Sequence, residues 1–150
     1  MIIIFCGIPG SGKTTIAKLL SEILTNFGRV KLIVSDEISG KVYKRILTQL
    51  TESLSEMDYI VVDATFYKKR WREMVEAIAG RDTILLCYLC CPLDTCLARN
   101  KERNPSLPEK VIHIISKEME RPLKPDISIN TEKIPPQTAA CEIALRVHSI

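Results

Sequence analysis

The sequence predicts an α/β fold of three layers, a five-stranded parallel sheet with helices on both faces, and three observations predict it. Short apolar runs alternate with longer amphipathic stretches along the whole chain, which is the rhythm of repeated β-α units. The runs are nearly continuous in apolar residues, as in Ile2-Ile3-Ile4-Phe5-Cys6 and Tyr59-Ile60-Val61-Val62, and strands covered on both sides read this way. The first run passes straight into a glycine-rich turn and then into a helical pattern, a strand-turn-helix join.

Each element follows in order. The first strand is the run ending at Cys6. Ile16, Leu19, Leu20, Ile23, Leu24 and Phe27 then recur at helical spacing, with Gly28 as the stop. Residues 30–34 read as the second strand, leading into Ser35-Asp36-Glu37. Ile38, Val42, Ile46, Leu47, Leu50 and Leu54 mark a second helix, and Tyr59 to Asp63 a strand that ends in a carboxylate. Trp71, Met74, Val75 and Ile78 mark a third helix closed by Gly80, followed by a strand from Thr83 to Cys91. A helix from about Leu93 to Arg103 precedes the proline-flanked loop 104–108. The next helix runs from Glu109 to Arg121, with Val111, Ile114 and Ile115 expected inward. Asp126 to Asn130 is the fifth strand, and after Pro135-Pro136 a last helix carries Ile143, Ala144 and Val147.

Size and composition bound the function. A chain of 150 residues makes one domain that buries roughly 70% of its unfolded surface. Hydrophobic and charged contents of 46% and 26% are ordinary for a globular protein, and a net charge of +3 does not announce a nucleic-acid binder. The opening apolar run is short and lacks a basic leader, so it reads as a strand and not as a signal peptide. No run reaches a membrane-spanning length, and the expected location is the cytoplasm. Of the six cysteines, Cys87, Cys90, Cys91 and Cys96 cluster. No second Cys/His pair stands at finger-like spacing, so they read as small apolar core residues and not as a zinc or redox site. Cys6, Cys87, Cys90 and Cys91 are expected in buried strands.

Gly7-Ile8-Pro9-Gly10-Ser11-Gly12-Lys13-Thr14 is a phosphate-binding P-loop in its required setting, between a strand and a helix. Its glycines let the backbone bend and turn N–H groups inward, and the helix N-terminus faces the phosphates. Gly7, Pro9, Gly10, Ser11, Gly12, Lys13, Thr14 and Thr15 are therefore the expected nucleotide-binding residues. Lys13 reaches the β- and γ-phosphates, and the Thr14 hydroxyl ligates Mg²⁺. The fold class narrows to the three-layer P-loop NTPase fold, with ATP and Mg²⁺ as cofactors.

Asp63 closes an apolar strand as a carboxylate that steadies Mg²⁺ does, and equally as a helix N-cap does. Asp36, at the end of the second strand, is the candidate base for an acceptor hydroxyl, with an N-cap again the alternative. Arg99 and Arg103 stand four apart on one helix face, where they would close over the triphosphate or form a salt-bridged surface. Lys68-Lys69-Arg70-Trp71-Arg72 is a basic run with an aromatic inside it. It suits an anionic acceptor or an RNA backbone, or else a helix with a core-facing Trp71 and solvated charges.

Together the P-loop, Ser35-Asp36-Glu37, Val61-Val62-Asp63-Ala64-Thr65-Phe66-Tyr67-Lys68 with Arg72, and Cys91-Pro92-Leu93-Asp94 leading to Arg99-Asn100-Lys101-Glu102-Arg103 resemble a group of small P-loop kinases. That group holds adenylylsulfate kinase, the phage-type polynucleotide 5′-kinase, seryl-tRNA(Sec) kinase and the Elongator-associated P-loop regulator. The Arg-Asn-x-x-Arg run with Leu107-Pro108-Glu109-Lys110 and Glu120-Arg121-Pro122 is most similar to the polynucleotide and tRNA kinases. By this resemblance Asp36 would be the base, Arg72 would contact the acceptor or the magnesium, and Arg99 and Arg103 would form a lid near 99–108 of one kinase domain, 1–150. Residues 126–131 would form the fifth strand, whose following loop borders the adenine. Adenylylsulfate kinases carry Asp-Gly-Asp-Asn-x-x-Arg after the second strand, where Ser35-Asp36-Glu37-Ile38 stands here.

The expected function is therefore a kinase that transfers the γ-phosphoryl group of Mg-ATP to an acceptor hydroxyl on a nucleotide-like or RNA-borne substrate. A nucleotide-switched ATPase regulating a tRNA-modifying machine is the alternative from another class, and adenylylsulfate kinase proper is a third. Partners beyond the nucleotide would be tRNA or another RNA, with neither membrane nor DNA expected.

Overall fold

The computed structural model describes residues 1–149, apart from the side chain of residue 82. Its strands are β1 (Ile2–Cys6), β2 (Val30–Val34), β3 (Tyr59–Asp63), β4 (Ile84–Cys90) and β5 (Ile127–Asn130). The helices are α1 (Lys13–Leu24), α2 (Val42–Ser53), α3 (Lys69–Ala79), α4 (Leu93–Glu102), α5 (Glu109–Glu118) and α6 (Pro136–Val147). The five strands form one parallel sheet in the order β2-β3-β1-β4-β5. This is the fold class expected from the sequence.

Strand β1 lies at the centre, paired on both sides, and all five of its residues are buried. Alternate side chains feed two cores, because successive residues of a strand point to opposite faces. Ile3 and Phe5 pack with Leu20 of α1 and Ile143 of α6 on one face. Ile4 and Cys6 pack with Ile46 and Leu50 of α2 and Val75 of α3 on the other. The chain leaves β1 toward β2 on one side and later returns to β4 on the other. Such a reversal opens a crevice beyond the carboxyl ends of the strands, where ligands of open α/β sheets sit.

Several boundaries and inward faces differ from the sequence expectation. Phe27 lies past the end of α1 and is 60% exposed, its ring against His148 with centroids 4.3 Å apart. Ile38 precedes α2, after a 3-10 turn over Ser35–Glu37, and Leu54 follows it. Cys91 lies outside β4 and, like Cys90, is only half-buried. Met74 of α3 is partly exposed.

The largest difference is α5. Ile112 is its fully buried residue, while Val111 and Ile114 are exposed. The helix does not pack on the sheet but crosses the crevice, so Val111 and Ile115 border a cavity and not the core. It also ends at Glu118 and not at Arg121. Pro122 disfavours helical geometry at the residue before it, and the Glu120 carboxylate accepts the Lys69 backbone N–H at 2.5 Å.

Candidate functional site

The crevice at the carboxyl end of the sheet holds a cavity of about 670 Å³. The turn after β1 forms its floor. Gly10 and Gly12 take φ of 85° and 91°, a left-handed backbone that favours glycine. A Cβ at Gly10 would also run into the backbone of Cys96 on α4, so this turn and that helix are in direct contact. Pro9, Gly10, Gly12, Lys13, Thr14 and Thr15 border the cavity. Gly7 and Ser11 act from behind it. The Gly7 N–H donates to the Thr65 carbonyl at 3.1 Å, and the Ser11 carbonyl accepts from the Thr131 hydroxyl at 2.9 Å.

Lys13 opens α1 and is buried. Its Nζ donates to the Ile8 carbonyl at 2.9 Å and to Ser11 Oγ at 3.4 Å. Burial pushes its pKa down, opposed by the nearby Asp63 carboxylate. Asp63 ends β3 and is equally buried, so burial pushes its pKa up, opposed by Lys13 and by the Thr14 hydroxyl. That hydroxyl donates to Asp63 Oδ2 at 2.6 Å. Two charged groups desolvated together cost stability unless they hold each other or a third charge arrives. The paired oxygens of Thr14 and Asp63 fit a hard divalent cation, which needs one or two protein oxygens and takes the rest from water and phosphate. Among the described residues no group of three or more His, Cys, Asp or Glu is placed to hold a metal.

Helix α4 forms one wall. The Arg99 Nη1 donates to the Gly10 carbonyl at 3.3 Å and to Thr131 Oγ1 at 3.1 Å, while Nη2 donates to the Thr131 carbonyl at 2.8 Å. Arg99 is thus fixed to the glycine-rich turn and to the residue after β5. Arg103, one turn on, is ion-paired with Asp36 in the 3-10 turn after β2. The expected base and one expected lid arginine therefore meet each other across the cavity mouth. Both are partly exposed, so each can be drawn away by a ligand.

Arg72 is not in the cavity. It is 5% exposed, and its Nη2 donates to the Glu120 carbonyl at 2.8 Å while Nη1 serves Phe66 O and, at 3.8 Å, Cys6 Sγ. It ties α3 to the segments at 66 and 120, so the expectation that it contacts an acceptor or magnesium is corrected. The rest of the basic run is engaged too. Lys68 pairs with Glu118 at 3.2 Å, Lys69 with Glu73 at 3.1 Å, and Arg70 lies 4.6 Å over the Trp71 ring. Trp71 in turn stacks on Tyr43 at 4.3 Å and 7°.

Three contributors were not expected. Thr131 joins Arg99 to the glycine-rich turn. Asn100 is buried and bonds Leu107 in both directions, at 2.8 and 2.9 Å, closing the loop 104–108. Tyr43 borders the cavity, and its hydroxyl lies 3.0 Å from Thr65 Oγ1. No local pattern marks the first, because a threonine between Asn130 and Glu132 joins the site only through the fold.

Residues 1–127 match the family model described as chromatin associated protein KTI12. The human L-seryl-tRNA(Sec) kinase is 34% identical over 94 residues, covering 59% of this chain and 27% of that protein. The L-seryl-tRNA(Sec) kinase of Methanococcus maripaludis is 28% identical over 155 residues, covering 89% of this chain and 61% of that protein. The chain thus spans less than two thirds of the length of either relative. The crystal structure of Chaetomium thermophilum Kti12 in complex with ADP-AlF3 has the same fold, with a TM-score of 0.80 at 15% identity, covering 98% of this chain and 99% of that one. These matches and the resemblance read from the sequence agree on the P-loop kinase group. Among the described residues no helix is long and apolar enough to cross a membrane.

Proposed function

This chain belongs to the KTI12 family, and from that premise we propose that it is an ATP-dependent phosphotransferase, one domain with a lid near 99–108. It passes the γ-phosphoryl group of Mg-ATP to an acceptor hydroxyl on a nucleotide-like or RNA-borne substrate. The observation that carries the reading is the shared cavity, where the turn with Lys13 and Thr14 faces Asp36 and Arg103. A phosphate-binding floor opposite a carboxylate is what transfer to a hydroxyl requires.

In this reading the P-loop N–H groups and Lys13 bind the phosphates. Thr14 and Asp63 would hold Mg²⁺, which would supply charge neutralisation to the phosphates. Arg103 exchanges Asp36 for phosphate oxygen and Asp36 then orients the acceptor. The acceptor oxygen bonds to the γ-phosphorus as the bond to the β,γ-bridging oxygen breaks, and its proton passes to Asp36. Arg99 holds the wall of the nucleotide site, and the lid limits water. Free cysteines throughout the described residues suit the cytoplasm, where ATP is available and thiols stay reduced.

A second reading, the nucleotide-switched ATPase acting on a tRNA-modifying machine, is favoured by the Asp36–Arg103 pair. A carboxylate released only when a nucleotide takes the arginine is a switch as well as a catalyst. Transfer of label from γ-labelled ATP into RNA and into a small-molecule extract tests the two. For the kinase, Asp36→Asn should lower transfer by about 10²–10⁴-fold and leave ATP binding in place. Intact transfer in that variant removes Asp36 from the role of base. Label found only as free phosphate favours the switch.

A further inference from the structure

We infer that the acceptor is a neutral, ring-bearing alcohol of nucleoside type, and not a molecule whose reacting part carries phosphate, sulfate or carboxylate. The inference rests on the phosphoryl-transfer reading and concerns the half of the cavity away from the nucleotide.

The sheet order divides the cavity. Strand β1 brings the phosphate-binding turn to the middle, and β4 and β5 lie on one side with Arg99 and Thr131. On the other side β2 and β3 bring Asp36, Thr65 and Tyr67, with Val42 and Tyr43 from α2. Helix α5 reaches over this second side. The Glu120 N–H just beyond it donates to the Tyr67 carbonyl at 2.8 Å, and Glu118 pairs with Lys68. Val111 and Ile115 of α5 border the same space.

The acceptor half is therefore walled by Val42, Tyr43, Thr65, Tyr67, Val111 and Ile115, five of them apolar or aromatic on the face they can offer a ring. Among the described residues the cations that border the cavity are Lys13, Arg99 and Arg103, and these, with Arg72 and Lys68 beside it, have other engagements. Arg72 is buried on the carbonyls of Phe66 and Glu120, Lys68 is on Glu118, Arg103 is on Asp36, and Arg99 is turned to Gly10 and Thr131. Lys13 belongs to the phosphates of the nucleotide. With Asp63 committed to the cation site and Arg103 passed to the phosphates, the fixed charge that remains to face an acceptor is the Asp36 carboxylate. An anionic group brought here loses its water and meets like charge, whereas a neutral ring loses little and gains contact with aromatic faces.

The aromatic wall is also rigid in advance. The Tyr43 ring is stacked on Trp71, and its hydroxyl is held between Thr65 Oγ1 at 3.0 Å and the Phe66 N–H at 3.1 Å. A wall already ordered does not need to be ordered by the ligand, which favours a flat partner. Thr65 leaves a hydroxyl beside it for sugar oxygens. The same charge distribution opposes adenylylsulfate as acceptor.

The test is binding to the full chain saturated with Mg²⁺ and the non-hydrolysable AMPPNP, so that the nucleotide half is filled. Adenosine and uridine are compared with AMP and UMP by calorimetry. The expected result is that the nucleosides bind and the monophosphates bind at least about 10-fold more weakly. Tyr67→Ala should weaken adenosine by about 10-fold while Tyr67→Phe keeps it, and Val111→Arg should turn the preference toward AMP. Equal or tighter binding of the monophosphates, or binding of none of the four, overturns the inference. The phosphotransferase reading fails separately, if a bound nucleoside takes up no label from γ-labelled ATP.

Discussion

Thr131 supplies contacts that the glycine-rich turn lacks in its own sequence. Its hydroxyl donates to the Ser11 carbonyl at 2.9 Å and accepts from Arg99 at 3.1 Å, and it is 8% exposed. Thr131→Val keeps the shape and leaves a buried carbonyl and a guanidinium short of a partner, at a cost of about 1–3 kcal/mol. Nucleotide affinity, measured by calorimetry, should fall by about 10-fold in Thr131→Val and stay near the parent in Thr131→Ser. Lys13, Thr14 and Asp63 were legible in the sequence because their spacing and flanking strands define their positions. Thr131 was not, since a threonine between Asn130 and Glu132 matches no pattern. Arg72 was misread for a geometric reason. Adjacent residues on a helix differ by about 100° in direction, and only the packing of α3 decides whether Trp71 or Arg72 turns inward.

At the scale of elements, the segment from α4 to α5 behaves as a strap with one buried fastening, the Asn100 amide, beside the more exposed Lys101–Glu109 and Arg103–Asp36 pairs. Asn100 accepts from the Leu107 N–H and donates to its carbonyl, at 2.9 and 2.8 Å. Little else in 104–106 is buried, so the strap's order depends on that amide. Asn100→Ala should open the loop. Limited proteolysis between 103 and 107 should quicken by about 10-fold relative to the parent, as a lost buried bond of about 1–3 kcal/mol implies. An unchanged cleavage rate would show the loop to be held by other means. The strands and the amphipathic cores of α1 to α3 were readable from apolar periodicity, since they pack on the sheet. Helix α5 was not. Its apolar residues at 111, 114 and 115 look like a core stripe, yet a helix bridging a crevice spends its apolar side on the cavity.

Across the whole molecule, the parallel sheet and its two covered faces followed from the alternation of runs, while the strand order β2-β3-β1-β4-β5 depends on pairings that no local pattern records. The cysteines show what that burial does. Burial raises the Cys6 thiol to about 11, that of Cys96 to about 12 and that of Cys87 well above its ordinary range, while Cys141 is exposed. Iodoacetamide at pH 8 should label Cys141 first, and Cys6, Cys87 and Cys96 only on unfolding, as read by mass spectrometry. The folded state keeps these protons where the unfolded chain has lost them, so stability holds below the ordinary thiol value of 9.0 and declines as pH rises through 11. A melting temperature that rose over that interval would contradict the assignment. Helix α4 and the residue that caps its C-terminus finally join the two banks of the crevice, with Arg99 on the helix fixed to the β5 side and Arg103, just past its end, to Asp36 after β2. The span is metered by one helical turn, so a single residue inserted between the two arginines would swing the second by about 100° and leave the far bank unattached.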